Sequence, residues 1–379
     1  MGLSPLRHMP EILLLCEYAT LNGGERSMLS TLDGAGNAGY RPAVMAPPDG
    51  PLAAALEARR VEHMAFACRG DDGIRLPQSR LREQLAQVLR NRRPDLLHAN
   101  SLAMGRLSGP VAAELQIPSL AHLRDIVTLS AQAAADLNCH ARLLAVSQAT
   151  RDFHVAGGLA AERIHVLYNG VDLDQFRPRP PTGDLHRELG IPDGAPLIGA
   201  IGQLGLRKGQ DVLLRAAGQL AERLPNVHYL IVGARHSNKD ESRHFEDGLR
   251  AAALGSLAGR VHFLGVRGDV ERLLNELALL AHPARQEPLG RVLLEAAAAG
   301  VAVVATDVGG AREIFPANCS AARLVPPDDA DALAAAILEL LDNDSLRRRL
   351  AAAARRRAEE QFDVRAAVRG LLEHYRALT

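Results

Sequence analysis

The chain has 379 residues and carries 44 Lys and Arg side chains against 44 Asp and Glu. This balance argues against a nucleic-acid partner, and an aromatic content of 3% with no tryptophan argues against surfaces that stack bases. The four cysteines are scattered without the paired spacing of metal ligands. We therefore expect most of them to be small core residues, no metal site among them and a reducing cytoplasm.

Short apolar runs alternate with helical segments along the whole chain and form two groups. This alternation predicts an α/β fold built from doubly wound parallel sheets. The predicted strands are residues 11–16, 42–46, 61–66, 95–99, 119–123 and 142–146 in the first group, and residues 197–201, 227–232, 261–264, 277–282, 301–305 and 322–325 in the second.

A segment rich in proline and glycine, residues 176–183, separates the two groups. We therefore predict two Rossmann-like domains at residues 1–172 and 185–361, joined by a linker at 173–184. An amphipathic helix is expected over residues 362–379.

The first predicted strand is followed by Gly23 and Gly24, which open a helix. Glycines at the carboxyl edge of such a sheet permit a close approach of the backbone to a ligand, although a plain tight turn is the alternative. Further on, Ser79–Arg93 has a leucine-rich face and an arginine-rich face. It is either a helix packed on its sheet or a peripheral contact with an anionic membrane surface.

The strand at residues 119–123 contains His122 near its end and is followed by Arg124, and the two share one face because they are two residues apart. The carboxyl ends of parallel strands line the ligand crevice of a doubly wound sheet. His122 is therefore a candidate site residue or a structural histidine, and Arg124 a candidate for binding a charged acceptor.

In the second group, a glycine-rich turn after residues 197–201 carries Gln203 and Lys208. Lys208 would bring a positive charge to a diphosphate. The glycines have the spacing Gly-x-x-Gly-x-x-Gly, and no acidic residue ends the next strand, which disfavours a nicotinamide dinucleotide.

Residues 285–312 predict a loop, a helix, a strand and a glycine turn. Pro288 and Gly290 indicate the helix start, with the proline in the first turn. At this helix start a phosphate can be bound by the backbone amides of Leu289, Gly290, Arg291 and Val292. Glu287 and Glu295 can bind hydroxyl groups at the two ends of a nucleotide sugar. Ordinary helix charges are the alternative for both.

The run Glu287-Pro-Leu-Gly-Arg-Val-Leu-Leu-Glu295-Ala, followed by the glycine turn Val308-Gly309-Gly310, resembles the donor-site signature of the retaining glycosyltransferases of family 4. That resemblance implies the GT-B fold, in which two Rossmann-like domains face a cleft. It also implies that Glu287 orients the hydroxyl groups of the donor sugar and Glu295 the ribose, while Lys208 stabilises the departing diphosphate.

The resemblance also places Gly23 and Gly24 at the donor phosphates and Val266 and Arg267 against the nucleobase. The chain departs from the family at two positions. Family members often have a His–Asp pair at 124–125, where this chain has Arg124-Asp125, so either His122 or Arg124 would replace the usual catalytic histidine. They usually have arginine at the position of Gln203, which leaves Lys208 as the clearer charge.

The implied function is transfer of a sugar, with retained configuration, from a nucleotide diphosphate sugar to a glycan, a lipid-linked or a small-molecule acceptor. Neither an essential metal nor a resident cofactor is expected, because the resemblance implies none and the Asp-x-Asp at Asp172–Asp174 falls in a turn at the domain junction. The expected location is the cytoplasm or the inner membrane face. A nucleotide-sugar epimerase and a non-catalytic binder of nucleotide sugars are the alternatives.

Overall fold

The computed structural model describes residues 9–70 and 72–379. These residues form two compact units, each built around its own sheet. The first unit contains the described residues up to Gly170 together with Val364–Thr379, and the second contains Val171–Asp363.

All strands of the first sheet run parallel, in the order β3-β2-β1-β4-β5-β6-β7. Their central members are fully buried and rich in leucine and alanine, as expected for strands covered on both faces. The strands are β1 Glu11–Leu15, β2 Arg41–Ala46, β3 Glu62–Ala65, β4 Leu96–Ala99, β5 Ser119–Leu123, β6 Arg142–Ala145 and β7 Ile164–Val166.

Helices follow the strands of the first unit and cover its sheet. They are α1 Gly23–Asn37, α2 Pro51–Ala58, α3 Gln78–Arg92, α4 Leu102–Glu114, α5 Ala131–Leu137, α6 Gln148–Ala156 and, at the end of the chain, α15 Val364–Arg376. Helix α15 packs closely on α1, since a Cβ on Gly34 would collide with Val368. Its Leu371, Leu372 and Tyr375 are buried in the core of the first unit.

The second sheet is also parallel, in the order β10-β9-β8-β11-β12-β13. Its strands are β8 Leu197–Ile201, β9 His228–Val232, β10 Val261–Gly265, β11 Leu279–His282, β12 Ala302–Thr306 and β13 Arg323–Val325. Its helices are α7 Asp184–Leu189, α8 Gln210–Leu220, α9 Asp240–Ala252, α10 Val270–Glu276, α11 Arg291–Ala298, α12 Ala311–Ile314, α13 Ala330–Asp342 and α14 Asp344–Gln361.

Each sheet reverses its direction of winding at one point. The reversal lies between β1 and β4 in the first sheet and between β8 and β11 in the second. In open parallel sheets the loops at the carboxyl ends of such neighbouring strands splay apart and form a ligand crevice. We therefore expect the ligand site of the second unit at the loops after β8 and β11.

Helix α3 uses its apolar face for the core of the first unit. Leu81, Leu85 and Leu89 are at most 1% exposed, and burial of each side chain contributes roughly 1.5–3 kcal/mol. On the polar face, Arg82 pairs with Asp136 and Arg92 bonds Glu62. A membrane contact of this helix would therefore rest on its arginine face alone. Within the described residues no helix is long and apolar enough to cross a membrane.

The segment at 173–184 packs as part of the second unit. Phe176 is buried, and the carboxylate of Glu276 accepts hydrogen bonds from the backbone of Thr182 and Gly183, at 2.7 and 3.1 Å. The chain passes between the units at 170–171 and again at 363–364.

Candidate functional site

The turn after β8 carries Lys208. It ends in a short 3₁₀ turn, Leu206–Lys208, followed by Gly209 at a φ of +66°. A side chain on Gly209 would also collide with the carbonyl oxygen of Pro283, so only glycine fits at this position. The lysine stem lies over Gly202, whose added Cβ would sit 3.8 Å from the Lys208 Cε.

The loop after β11 presents Glu287 beside that turn. The glycine turn after β12 holds this loop closely, since the amide of Gly310 donates to the carbonyl oxygen of Glu287 at 3.0 Å. A Cβ on Gly309, whose φ is +52°, would collide with the same carbonyl. The second glycine turn of the motif therefore serves to fix the position of Glu287.

Lys208 and the buried Glu287 form an ion pair that is largely shielded from solvent. The Lys208 ammonium donates to Glu287 Oε2, and His282 Nε2 lies 2.8 Å from the same oxygen. Burial alone would raise the pKa of Glu287, but the Lys208 charge and the bond from His282 lower it well below its usual value. Burial lowers the pKa of His282, so its ring is neutral and carries its proton on Nε2. The site thus holds one cation, one anion and one neutral donor.

Helix α11 starts later than the proline predicts. Gly290 is the N-cap in a left-handed conformation, with φ of +101°, and the first helical residue is Arg291. Pro288 therefore lies in the loop and not in the first turn, because Gly290 at that φ is what turns the chain into the helix. The Glu287 carboxylate in that loop bonds Lys208 and His282.

Glu295 lies on α11 and is 7% exposed. Its Oε1 accepts a hydrogen bond of 2.7 Å from Arg291 Nε, one helical turn earlier. Of the other residues at the helix start, Leu289 and Gly290 are buried and Arg291 and Val292 are half-buried. Gly290 lies beside the ion pair, since a Cβ on it would be 3.3 Å from Glu287 Cγ.

The remaining predicted donor residues lie on the turns after β8 and β10. Gln203 is exposed, and its carbonyl oxygen accepts a bond of 2.9 Å from Gln210. Val266 is 75% exposed. Arg267 is held by two carboxylates, since its guanidinium bonds Asp269 and Glu188. Because the Arg267 guanidinium is engaged with these carboxylates, Val266 and the neighbouring backbone form the exposed surface of that turn.

In the first unit, Gly23 and Gly24 form the first turn of α1. The guanidinium of Arg124 packs against this turn, since a Cβ on Gly24 would lie 3.2 Å from Arg124 Cδ. Arg124 donates to the carbonyl and the side-chain oxygens of Asn100 and to Asn169 Oδ1, each at 2.9 Å. It therefore lies at the carboxyl edge, where the winding of the first sheet reverses.

His122 lies below that edge and is 4% exposed. Its Nδ1 is 2.7 Å from His98 Nε2, and His98 Nδ1 is 2.7 Å from the hydroxyl of Tyr375 on α15. Burial lowers the pKa of His122 and that of His98, so both rings are neutral. Of the two candidates at the end of β5, Arg124 is the more accessible and His122 belongs to a buried chain of hydrogen bonds.

The buried histidines predict that the protein loses stability in acid. Burial lowers the pKa of His98 to about 3 and that of His140 to about 4. In the unfolded chain both would protonate near pH 6.5. Stability is therefore complete above pH 6.5 and falls as the pH drops below it, by about 2 kcal/mol for each ring at pH 5. Urea unfolding curves at pH 7 and pH 5 measure this loss.

An exposed histidine provides the control for this prediction. His236→Gln should leave the difference between the two curves unchanged, because His236 is exposed. A free energy of unfolding that is equal at pH 5 and pH 7 would contradict the prediction.

The Asp-x-Asp at residues 172–174 has a structural role. Asp172 Oδ1 accepts the backbone N–H groups of Asp174 and Gln175, both at 2.9 Å, which is a common way to close a turn. In the part of the chain that the structure describes, no group of three or more His, Cys, Asp or Glu side chains is arranged to hold a metal ion.

The sequence prediction gave no role to His282, which bonds Glu287, or to His98 and Tyr375, which support His122. His282 ends a predicted strand five residues before Glu287, so its position at a carboxyl edge was a usable signal. The contact between His98 and Tyr375 spans 277 residues, and no local pattern indicates it.

Comparison with known families matches both units. The family described as Glycosyl transferases group 1 matches residues 182–357, and Glycosyltransferase Family 4 matches residues 21–175. Together these matches cover most of the chain, including both edges described above.

Curated relatives were found among enzymes that act on inositol compounds. The chain is 34% identical over 271 residues to the phosphatidyl-myo-inositol mannosyltransferase of Mycolicibacterium smegmatis, which covers 69% of this chain and 63% of the relative. It is 35% identical over 223 residues to the D-inositol 3-phosphate glycosyltransferase of Corynebacterium urealyticum, which covers 57% and 51%. The chain thus spans less than two thirds of either relative's length.

Solved structures match over nearly the full length. Anabaena HepE, determined in complex with UDP and glucose, has a TM-score of 0.85 and 26% identity over 97% of this chain and 99% of its own. A glycosyltransferase from Rickettsia africae has a TM-score of 0.83 at 20% identity, over 97% and 98% of the two chains, and shares the fold. These matches confirm the predicted family and fold, and the chain belongs to the family 4 glycosyltransferases with the GT-B fold.

Proposed function

We propose that the protein is a retaining glycosyltransferase that moves a sugar from a nucleotide diphosphate sugar to an acceptor. The observation that carries the proposal is the Lys208–Glu287 pair at the point where the second sheet reverses its winding. Parallel sheets bind ligands at that point, and a lysine and a carboxylate are the groups that a diphosphate and sugar hydroxyls require.

The proposed reaction breaks the bond between the anomeric carbon and the diphosphate. The electron pair leaves on the diphosphate oxygen, the acceptor hydroxyl forms the new bond to carbon, and its proton leaves with the phosphate. Lys208 and the amides at the start of α11 stabilise the growing negative charge. Glu287 stays ionised beside Lys208 and accepts hydrogen bonds from the donor sugar. Glu295 binds the ribose.

The names of the relatives indicate which nucleotides and acceptors should be tested first. HepE was determined with UDP and with glucose, while other relatives are mannosyltransferases, one of which is GDP-mannose-dependent. We propose a phosphorylated inositol or its lipid as the first acceptor class, by analogy with the names of these relatives. The peripheral membrane contact of Ser79–Arg93 stays a prediction.

The test has two stages. Calorimetry with UDP and with GDP identifies the nucleotide, and the matching donor, UDP-glucose or GDP-mannose, is then incubated with inositol 3-phosphate or with vesicles that contain phosphatidylinositol. We expect a glycosylated product, whose NMR spectrum shows the anomeric configuration of the donor. An inverted product would contradict the retaining mechanism.

The same assay distinguishes the proposed transferase from the alternative functions. Conversion of the donor to an isomer without acceptor would indicate an epimerase. The departure at Arg124 favours a second candidate, a binder without catalysis, because this residue replaces the histidine expected at that position. Tight nucleotide binding with neither transfer nor donor hydrolysis would establish that candidate and overturn the proposal.

Replacing Glu295 by alanine should weaken binding of the nucleotide itself. The change removes a buried, charged hydrogen-bond acceptor, which costs about 1.5–3 kcal/mol, or roughly 10- to 100-fold in Kd. Calorimetry with the nucleoside diphosphate measures this. Glu339→Ala is the matched control, since Glu339 pairs with Arg323 in the same unit. An unchanged Kd in a folded Glu295 variant would remove this residue from the site.

Activity should survive chelation of metals. The Lys208 ammonium supplies a positive charge for the diphosphate, and Asp172 is engaged in closing a turn. We therefore expect turnover in EDTA within about twofold of that with added Mg²⁺ or Mn²⁺. Complete loss in EDTA that returns with metal would show that the leaving group is stabilised by a metal ion.

A further inference from the structure

Leu204 anchors the first half of the turn that carries Lys208 in the core of the second unit, whereas the second half, residues 205–208, contains no buried residue. Leu206 is 52% exposed, and no regular strand or α-helix contains residues 202–209. Within the turn, the amide of Lys208 bonds the carbonyl oxygen of Gly205 at 2.8 Å. An ammonium that must meet a diphosphate needs a more rigid support than this, because small displacements of a positioned charge reduce its effect.

Arg285 supplies that support from the neighbouring loop. Its backbone N–H donates to the carbonyl oxygen of Arg207 at 2.8 Å. Its side-chain Nη1 donates to the carbonyl oxygen of Leu206 at 2.7 Å. The two peptide carbonyls immediately before Lys208 are thus both held by one residue, which itself lies two positions before Glu287.

The guanidinium is anchored on its other sides. It makes a two-pronged pair with Asp211 on α8, with bonds of 2.8 and 2.7 Å, and its Nε donates to Asp328 at 2.6 Å. The flat guanidinium satisfies these directions at once, whereas the ammonium of lysine has no comparable fork. Arg285 therefore ties the turn after β8, the loop after β11 and the start of α8 together.

We propose that Arg285 is a positioning residue, which holds Lys208 against Glu287 in readiness for the departing diphosphate. The proposal rests on the proposed function only for the role of Lys208. It adds that the effect of the Lys208 charge on the reaction depends on a residue that need not touch the ligand.

The two lysines of the chain allow a test that does not depend on activity. The sequence contains only Lys208 and Lys239. Brief treatment with acetic anhydride, followed by mass spectrometry of peptides, gives the modification rate of Lys208 relative to Lys239. Lys208 is protected by its ion pair, with 16% of its side chain exposed. In Arg285→Gln we expect its relative rate to rise about fivefold or more, because local opening becomes easier.

Two variants control for general loosening of the second unit. Arg323→Gln removes a comparable two-pronged pair, that of Arg323 with Glu339, whose bonds are both 2.7 Å, and should leave the relative rate unchanged. Arg285→Lys keeps the charge without the fork and should behave as Arg285→Gln does. An unchanged rate in Arg285→Gln, or an equal rise in Arg323→Gln, would overturn the proposal.

Turnover provides the second readout. With the identified donor and acceptor, Arg285→Gln should lower kcat about 10- to 100-fold. The double variant with Lys208→Ala should be no slower than Lys208→Ala alone, because Arg285 acts through that lysine. Losses that multiply in the double variant would overturn the proposal. If modification rises and kcat does not change, the positioning role stands and the catalytic role of Lys208 fails.

Discussion

Lys208→Ala should lower kcat by about 10²–10³, the usual cost of removing a preorganised charge from a transition state. The reason is that the diphosphate gains negative charge as it departs, so the transition state loses more than the bound donor does. Gln203 cannot replace the charge, and Arg285 is engaged with Asp211 and the carbonyl of Leu206. Steady-state kinetics should therefore show a fall in kcat larger than any rise in KM.

Lys239→Ala is the matched control for this variant, because it removes the other lysine of the chain. It should retain full activity and the melting temperature of the wild type. Lys208→Ala should melt at a lower temperature, because it leaves the buried Glu287 carboxylate without its cation, so its kinetics are measured well below that temperature. If Lys208→Ala turns over within about twofold of the wild type, Lys208 is a structural partner of Glu287 and the leaving group is stabilised elsewhere.

Periodicity and turn residues were sufficient to predict the fold. Two groups of short apolar strands separated by helical segments predicted two parallel sheets, and the structure contains both. The strand at Ile164–Val166 was missed, because three residues are too few to show a period. The start of α11 was placed early because Pro288 is compatible with a first turn, whereas the left-handed Gly290 determines where the helix begins.

From residue patterns alone the candidate site could be predicted only as separate pieces, which the resemblance to family 4 then placed at one donor. The sequence indicated Lys208 and Glu287 individually, but they are 79 residues apart and only the strand order brings their loops together. His122 and Arg124 shared a predicted face, yet the structure buries one and leaves the other half-buried. Arg285 gave no signal, because its role depends on carbonyl groups of a turn far away in the sequence.

Glu287→Gln should be as damaging as loss of the lysine, for a different reason. The amide has the same shape and can still accept a bond from His282, but it carries no charge. The variant therefore loses the anion that holds the Lys208 ammonium and that accepts hydrogen bonds from the donor sugar. We expect kcat/KM to fall by about 10²–10³.

Ligand affinities distinguish Glu287→Gln from Lys208→Ala. Affinity for the nucleoside diphosphate alone should change little or increase, because Glu287 is assigned to the sugar and its negative charge no longer competes for Lys208. Affinity for the complete donor should fall. Calorimetry with both ligands measures the two effects, and Glu339→Gln, which alters a partly exposed ion pair in the same unit, is the control. Equal weakening of both ligands would assign Glu287 to the diphosphate region instead, and unchanged turnover would remove it from the catalytic site.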